Sequence, residues 1–244
     1  MYDQGHIAAT YSALCILTLL GDDLARVDRP SLLAWLTELQ AASPQPGAVR
    51  SSLPDGECDI RFTFCLCATS ALLDDWSAVQ CDAVEAYIHR CQAYDGAFGQ
   101  NVAQEGHGGS TYCAIASLAL MGRLGGVPSR ERLLEWLVLK QTKGFHGRPD
   151  KPDDVCYSWW IGASIRLLEP DDELIDVDAL EDFLDECVGS RGGVRKLPPD
   201  AEGEPDADPL HTYFALAGLS SAVHARFDLL PMNHALGIPQ LPAS

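Results

Sequence analysis

Asp154 and Cys156 lie two positions apart, and His211 falls at a similar point one sequence repeat later. A carboxylate, a thiolate and an imidazole on a tetrahedral zinc ion leave a fourth position open, as a catalytic zinc requires. Each residue also has a plainer role. Asp154 can cap a helix, Cys156 can fill a core, and His211 can be a hydrogen-bonded histidine at a helix start. D-x-C is a weak pattern, and spacing alone favours the plainer roles.

A second constellation is cationic. His107, Arg148 and Lys151, with the Tyr157 hydroxyl, can form an anion site large enough for a diphosphate. Arginine offers a planar fork and lysine a point charge, the usual phosphate pairing. The competing reading is a set of solvated loop charges paired with Asp150 and Asp153. A third polar set, His6, Glu57, Asp59 and Arg61, opens the earlier apolar stretches. Its plain reading is a helix-start histidine and an i,i+4 ion pair between Glu57 and Arg61.

These residues sit at equivalent points of an internal repeat. Gly47-Ala48-Val49, Gly96-Ala97-Phe98, Gly144-Phe145 and Gly192-Gly193-Val194 recur at roughly 48 residues, within the range of helical-pair arrays. Amphipathic stretches precede each glycine: Arg29–Ala41, Ala78–Cys91, Ser129–Lys140 and Val177–Val188. Their mixture of apolar and charged residues at helical spacing predicts half-exposed outer helices. Between them lie stretches apolar nearly all round: His6–Leu20, Asp59–Leu73, Ser110–Leu124, Asp154–Leu168 and Leu210–Val223. Those predict buried inner helices rich in Ala, whose small side chains allow tight packing around an axis. The expectation is an all-α fold, an α/α toroid of inner and outer helix pairs. β-branched alternation is scarce, so no strands are needed.

Composition narrows the function. Thirty-five acidic against 17 basic residues give a net charge of −18, which argues against a nucleic-acid binder held by phosphate contacts and suits basic partners. The nine cysteines are an odd count. Cys15, Cys65, Cys67 and Cys113 sit in apolar runs, so a reduced, cytoplasmic protein is expected. Ile7–Leu20 lacks the basic flank and cleavage site of a signal peptide, and no stretch is long enough to span a membrane.

At the chemistry-bearing segments the sequence resembles a known family. G-F-H-G-R-P-D-K-P-D-D-V-C-Y-S-W-W (Gly144–Trp160) and H-G-G-S-T-Y-C-A-I-A-S-L-A-L-M-G (His107–Gly122) are similar to signature segments of protein prenyltransferase β subunits. Tyr2–Tyr11 and Gly21–Val27 are similar to the type I geranylgeranyltransferase members in particular. The resemblance implies that Asp154, Cys156 and His211 hold one zinc ion. It implies that His107, Arg148, Lys151 and Tyr157 hold the isoprenoid diphosphate, to which a partner α subunit adds a lysine. His6, Glu57 and Arg61 match residues that hold the substrate carboxylate through water. Leu210 and Phe214 look like the geranylgeranyl enzymes, where farnesyltransferase tends to have Tyr. Lys196 aligns with a lysine that replaces a magnesium-binding aspartate, so Mg2+ is not expected to be required. The loop Pro199–Pro209 is a few residues longer than the family's.

The activity so implied is transfer of geranylgeranyl from its diphosphate to the cysteine of C-terminal C-a-a-X proteins, X usually Leu, such as Rho-family small GTPases. The rivals are Rab geranylgeranylation, farnesylation, or a non-catalytic helical-repeat fragment that binds partners. Family β subunits begin roughly a hundred residues earlier, with further helical pairs. The resemblance therefore implies one toroid domain over residues 1–244 that lacks the family's first part, including walls of the isoprenoid pocket.

Overall fold

The computed structural model describes residues 4–170, 173–200, 206–223 and 228–240. Met1 to Asp3, which open the matched Tyr2–Tyr11 segment, and positions 201–205 of the Pro199–Pro209 loop lie outside them. Helices follow in the order α1 (Ile7–Leu19), α2 (Arg29–Ala41), α3 (Ile60–Leu73), α4 (Cys81–Arg90), α5 (Gly108–Leu120), α6 (Arg130–Val138), α7 (Cys156–Leu168), α8 (Val177–Glu186) and α9 (Pro209–Val223). The expected alternation is present. The odd-numbered helices pack side by side in sequence order as an inner layer.

Each even-numbered helix buries an i, i+3, i+4 triad: Leu36, Leu39 and Gln40 on α2, then Val84, Tyr87 and Ile88 on α4. Leu133, Trp136 and Leu137 on α6, and Leu180, Phe183 and Leu184 on α8, repeat the spacing. Such a stripe faces the core while the opposite side meets water. The inner helices α3 and α5 are instead buried along most of their length.

The glycines that mark the repeat end the outer helices in a common way. Antiparallel bridges Gln92–Phe98, Gln141–Phe145 and Val188–Val194 close a tight turn around Gly96, Gly144 and Gly192 respectively. Gly96 has φ +96°, where a side chain would be strained and a Cβ would stand 2.9 Å from the Leu133 nitrogen. Gly144 is needed for space instead, since a Cβ there would lie 2.4 Å from the Phe183 ring.

The starts of the inner helices share a second device. The first amides of a helix lack intrahelical partners, and here each repeat lends a carbonyl to the one before. Ile7 N–H donates to Ser51 O at 2.9 Å, Ile60 to Gln100 at 3.1 Å, Gly108 to Gly147 at 2.8 Å and Val155 to Lys196 at 3.0 Å. These bonds draw the loops that carry Arg148, Lys151 and Lys196 over the N-terminal end of the inner layer.

Two expectations change. Helix α5 starts at Gly108, where Gly147 O receives its amide, and ends at Leu120, followed by Gly122 at φ +70°. Strands are present after all: β1 (Met232–Asn233) and β2 (Ile238–Pro239) form a small antiparallel hairpin. The hairpin links the first and last inner helices. Tyr11 on α1 donates to Leu236 O and Tyr213 on α9 donates to Gly237 O, both at 2.5 Å. His234 stacks on Trp159 of α7 with ring centroids 6.2 Å apart. All nine cysteines are free thiols, and no helix among the described residues is long and apolar enough to cross a membrane.

Candidate functional site

Asp154 is the hub of the site. Its backbone is tied to the preceding turn by Asp154 N–H to Phe145 O at 2.9 Å, and its carboxylate accepts the Cys156 N–H at 2.9 Å. Val155, not Asp154, occupies the N-cap position of α7, so the capping role open to Asp154 from sequence is only partly taken. The Asp154 carboxylate also lies 3.7 Å from His211 Nε2 and 3.4 Å from Lys196 Nζ. His211 is aimed by Asp208, which accepts its backbone N–H at 2.9 Å and meets Nδ1 at 2.6 Å. Those two bonds hold the Asp208 carboxyl below its ordinary range. Burial and the neighbouring Asp154 push the Cys156 thiol up, so a thiolate there calls for a cation beside it.

Oxygen, sulfur and nitrogen donors with an outer carboxylate on the imidazole are the donor chemistry of zinc sites. That chemistry fits the metal. The gathering is looser: among the described residues no group of three His, Cys, Asp or Glu side chains is drawn close enough to hold a metal ion.

The four residues of the anion constellation meet around a cavity of about 270 Å³ whose lining also includes Asp154 and Lys196. Tyr157 packs there because Gly147 has no side chain; a Cβ would stand 2.0 Å from the phenol ring. Its hydroxyl lies 3.0 Å from His107 Nε2. His107 Nδ1 accepts the Gly109 N–H at 3.1 Å, so that nitrogen carries no proton. In the neutral ring Nε2 then donates to the Tyr157 oxygen, which leaves the phenolic proton to donate elsewhere. Burial, with Arg148 nearby, holds His107 below its ordinary range, and burial pushes Tyr157 up to about 12. His107 is therefore a neutral partner of Tyr157 rather than a third cation. Arg148 pairs with Glu105 at 3.1 Å, not with Asp150 or Asp153. Asp153 instead bonds Thr142, Lys143, Gly144 and His146.

Arg61, Glu57 and His6 share a neighbouring corner. Arg61 pairs with Glu57 at 3.1 Å and with buried Asp59 at 2.6 Å. The Phe62 ring contacts both Arg61, 5.1 Å from its centroid, and His6, edge-on at 5.7 Å. A polar cavity of about 310 Å³ bounded by Gln100, Gln104 and Ser110 adjoins the anion cavity, sharing His107 and Arg148 with it. Leu210 is exposed, and Phe214 packs on Trp160 at 4.6 Å.

One feature was not singled out from sequence. The fifth residue of every inner helix is aromatic: Tyr11, Phe64, Tyr112, Trp160 and Tyr213. Consecutive rings touch at 5.4 Å, 5.5 Å and 5.0 Å from Tyr11 to Trp160, and Phe214 carries the chain on to Tyr213. The polar residues sit at the helix starts, so this belt lies about one helical turn further in.

Comparison with known proteins gives a consistent picture. Residues 1–238 match the prenyltransferase alpha-alpha toroid domain. The chain is 43% identical to the geranylgeranyl transferase type-1 subunit beta of Dictyostelium discoideum, over 90% of this chain and 60% of that protein. It is 38% identical to the protein of the same name from Arabidopsis thaliana, over 99% of this chain and 65% of the relative. The chain thus spans less than two thirds of the length of these relatives. The structure of Candida albicans protein geranylgeranyltransferase-I complexed with GGPP superposes with a TM-score of 0.85 at 26% identity, covering 98% of this chain and 73% of that one. With alternating inner and outer helices, a repeat-built polar mouth and a domain match over almost its whole length, the chain belongs to the prenyltransferase alpha-alpha toroid family.

Proposed function

We propose that this chain is the catalytic β subunit, or the site-bearing part of it, of a cytoplasmic type I protein geranylgeranyltransferase that works as a heterodimer with an α subunit. Its reaction is transfer of geranylgeranyl from the diphosphate to the cysteine of a C-a-a-X protein. One observation carries the reading: Asp154 lines the same cavity as the anion-binding residues and lies 3.7 Å from His211 Nε2, about one turn from a chain of touching aromatic rings. A long unsaturated chain with a diphosphate head and a thiol acceptor needs those three surfaces together. The 38–43% identity to two type-1 β subunits favours geranylgeranyl over the rival groups.

Zinc held by Asp154, Cys156 and His211 would supply an open position for the substrate thiol and lower its pKa. Arg148, Lys151 and Lys196 offset the charge that builds on the departing diphosphate. Tyr157, with its oxygen held by His107, donates its phenolic proton in a hydrogen bond to a diphosphate oxygen. The ammonium of Lys196 does locally what a magnesium ion would do. Arg61, Glu57 and His6 hold the chain-terminal carboxylate through water.

Co-expression with a prenyltransferase α subunit, followed by a zinc-dependent transfer assay with a Leu-ending peptide, tests the reading. Transfer that needs zinc supports it. A zinc-loaded heterodimer that transfers nothing sinks it.

A further inference from the structure

Asp59 holds more bonds than a helix cap needs. Its Oδ1 accepts the Arg61 N–H at 2.9 Å, which caps α3. The carboxylate also takes Arg61 Nε at 3.0 and 3.2 Å, Arg61 Nη2 at 2.6 Å and Gln100 Nε2 at 2.9 Å. Asp59 is 3% exposed. The Arg61 side chain is 48% exposed and would sample many rotamers without a partner, since a free arginine carries about 2 kcal/mol of rotamer entropy. Asp59 and Glu57 occupy the Nε–Nη2 edge of the guanidinium, and Phe62 supports its face. The Nη1 amino group has no hydrogen-bond partner among the described residues.

We propose that Asp59 is a positioning residue: it clamps one edge of Arg61 so that Nη1 is the group presented, through water, to the terminal carboxylate of the protein substrate. Gln100 tethers the clamp from the next repeat. The inference deepens the proposed function and rests on its reading of Arg61. Pre-ordering a donor in this way lowers the cost of binding, so the effect belongs in substrate affinity and not in the chemical step.

The test uses the chain in complex with a prenyltransferase α subunit and two C-a-a-Leu peptides, one with a free carboxylate and one amidated. A charge-assisted bond is worth about 1.5–3 kcal/mol, so wild type should favour the free acid by about 10–100-fold in KM. Asp59→Asn keeps a capping side chain but loses the charge. It should bring the acid:amide ratio down about tenfold through KM, with kcat and prenyl diphosphate affinity unchanged. An unchanged ratio in Asp59→Asn overturns the inference and leaves the reading of Arg61 standing. Wild type that does not distinguish the peptides overturns both, and a wild-type complex without activity defeats the proposed function itself. Should Asp59→Asn not fold, Gln100→Ala decides: a ratio reduced about two- to threefold supports the clamp, and an unchanged one overturns it.

Discussion

The Tyr157 hydroxyl and the His107 Nε2 lie 3.0 Å apart across fifty residues of sequence, and the Gly109 amide fixes which of them donates. If Tyr157 stabilises the leaving group, Tyr157→Phe lowers the single-turnover rate about 10²-fold and barely changes prenyl diphosphate affinity. His107→Ala should do nearly the same, and the double variant should be no worse than the poorer single one, because the two act as a unit. Additive losses would show that they act separately.

Zinc content tests the proposed ligand set of Asp154, Cys156 and His211. The purified heterodimer should hold one zinc per chain by elemental analysis, and Cys156→Ala should lose it. Asp208→Asn, which frees the His211 ring from its carboxylate partner, should weaken zinc binding about 10–100-fold without unfolding the chain. Full zinc retention in Cys156→Ala refutes the ligand set.

The pH dependence of stability has a definite sign at His107. Burial and Arg148 hold its folded pKa below the unfolded value, so the unfolded chain takes up this proton first as pH falls. The contribution is intact above about pH 6.5, the ordinary histidine value, and is lost progressively below it. Wild type should therefore lose stability relative to His107→Gln on going from pH 7.5 to pH 5.5. Urea midpoints of the two proteins measure this, and a constant gap contradicts it.

Peptide choice separates the prenylation classes. Leu-ending C-a-a-X peptides should exceed Ser- or Met-ending ones by at least about tenfold in kcat/KM, with no dependence on added Mg2+. Lys196→Ala should slow transfer and gain stimulation by Mg2+. Preference for Ser- or Met-ending peptides, or for Rab substrates, reassigns the chain within its family.

The alternation of helices was legible because the buried triads, such as Val84, Tyr87 and Ile88, recur at fixed spacing between glycines. The segments bearing Asp154, Tyr157 and His107 were legible as motifs. Asp208 and Asp59 carry no motif of their own, because their hold on His211 and Arg61 is a matter of side-chain direction. The aromatic belt escaped for a different reason. Counted from the starts expected from sequence, Tyr11, Phe64, Tyr112, Trp160 and Tyr213 fall at positions six, six, three, seven and four. Only the true starts, four of them tied by carbonyls lent from the following loops, bring all five to position five.

The clasp between Tyr11, Tyr213 and the β1–β2 turn has a consequence for biosynthesis. Its first partner, Tyr11, precedes its last, Gly237, by 226 positions. Neighbouring inner helices can pair as they emerge, each repeat capping the one before. The clasp must wait until Gly237 is made and then join parts far apart in sequence, a costlier closure than the pairing of neighbouring helices. A ribosome-bound intermediate would hold paired helices with an open seam, and any window for a chaperone or a partner subunit to enter would close when Gly237 arrives.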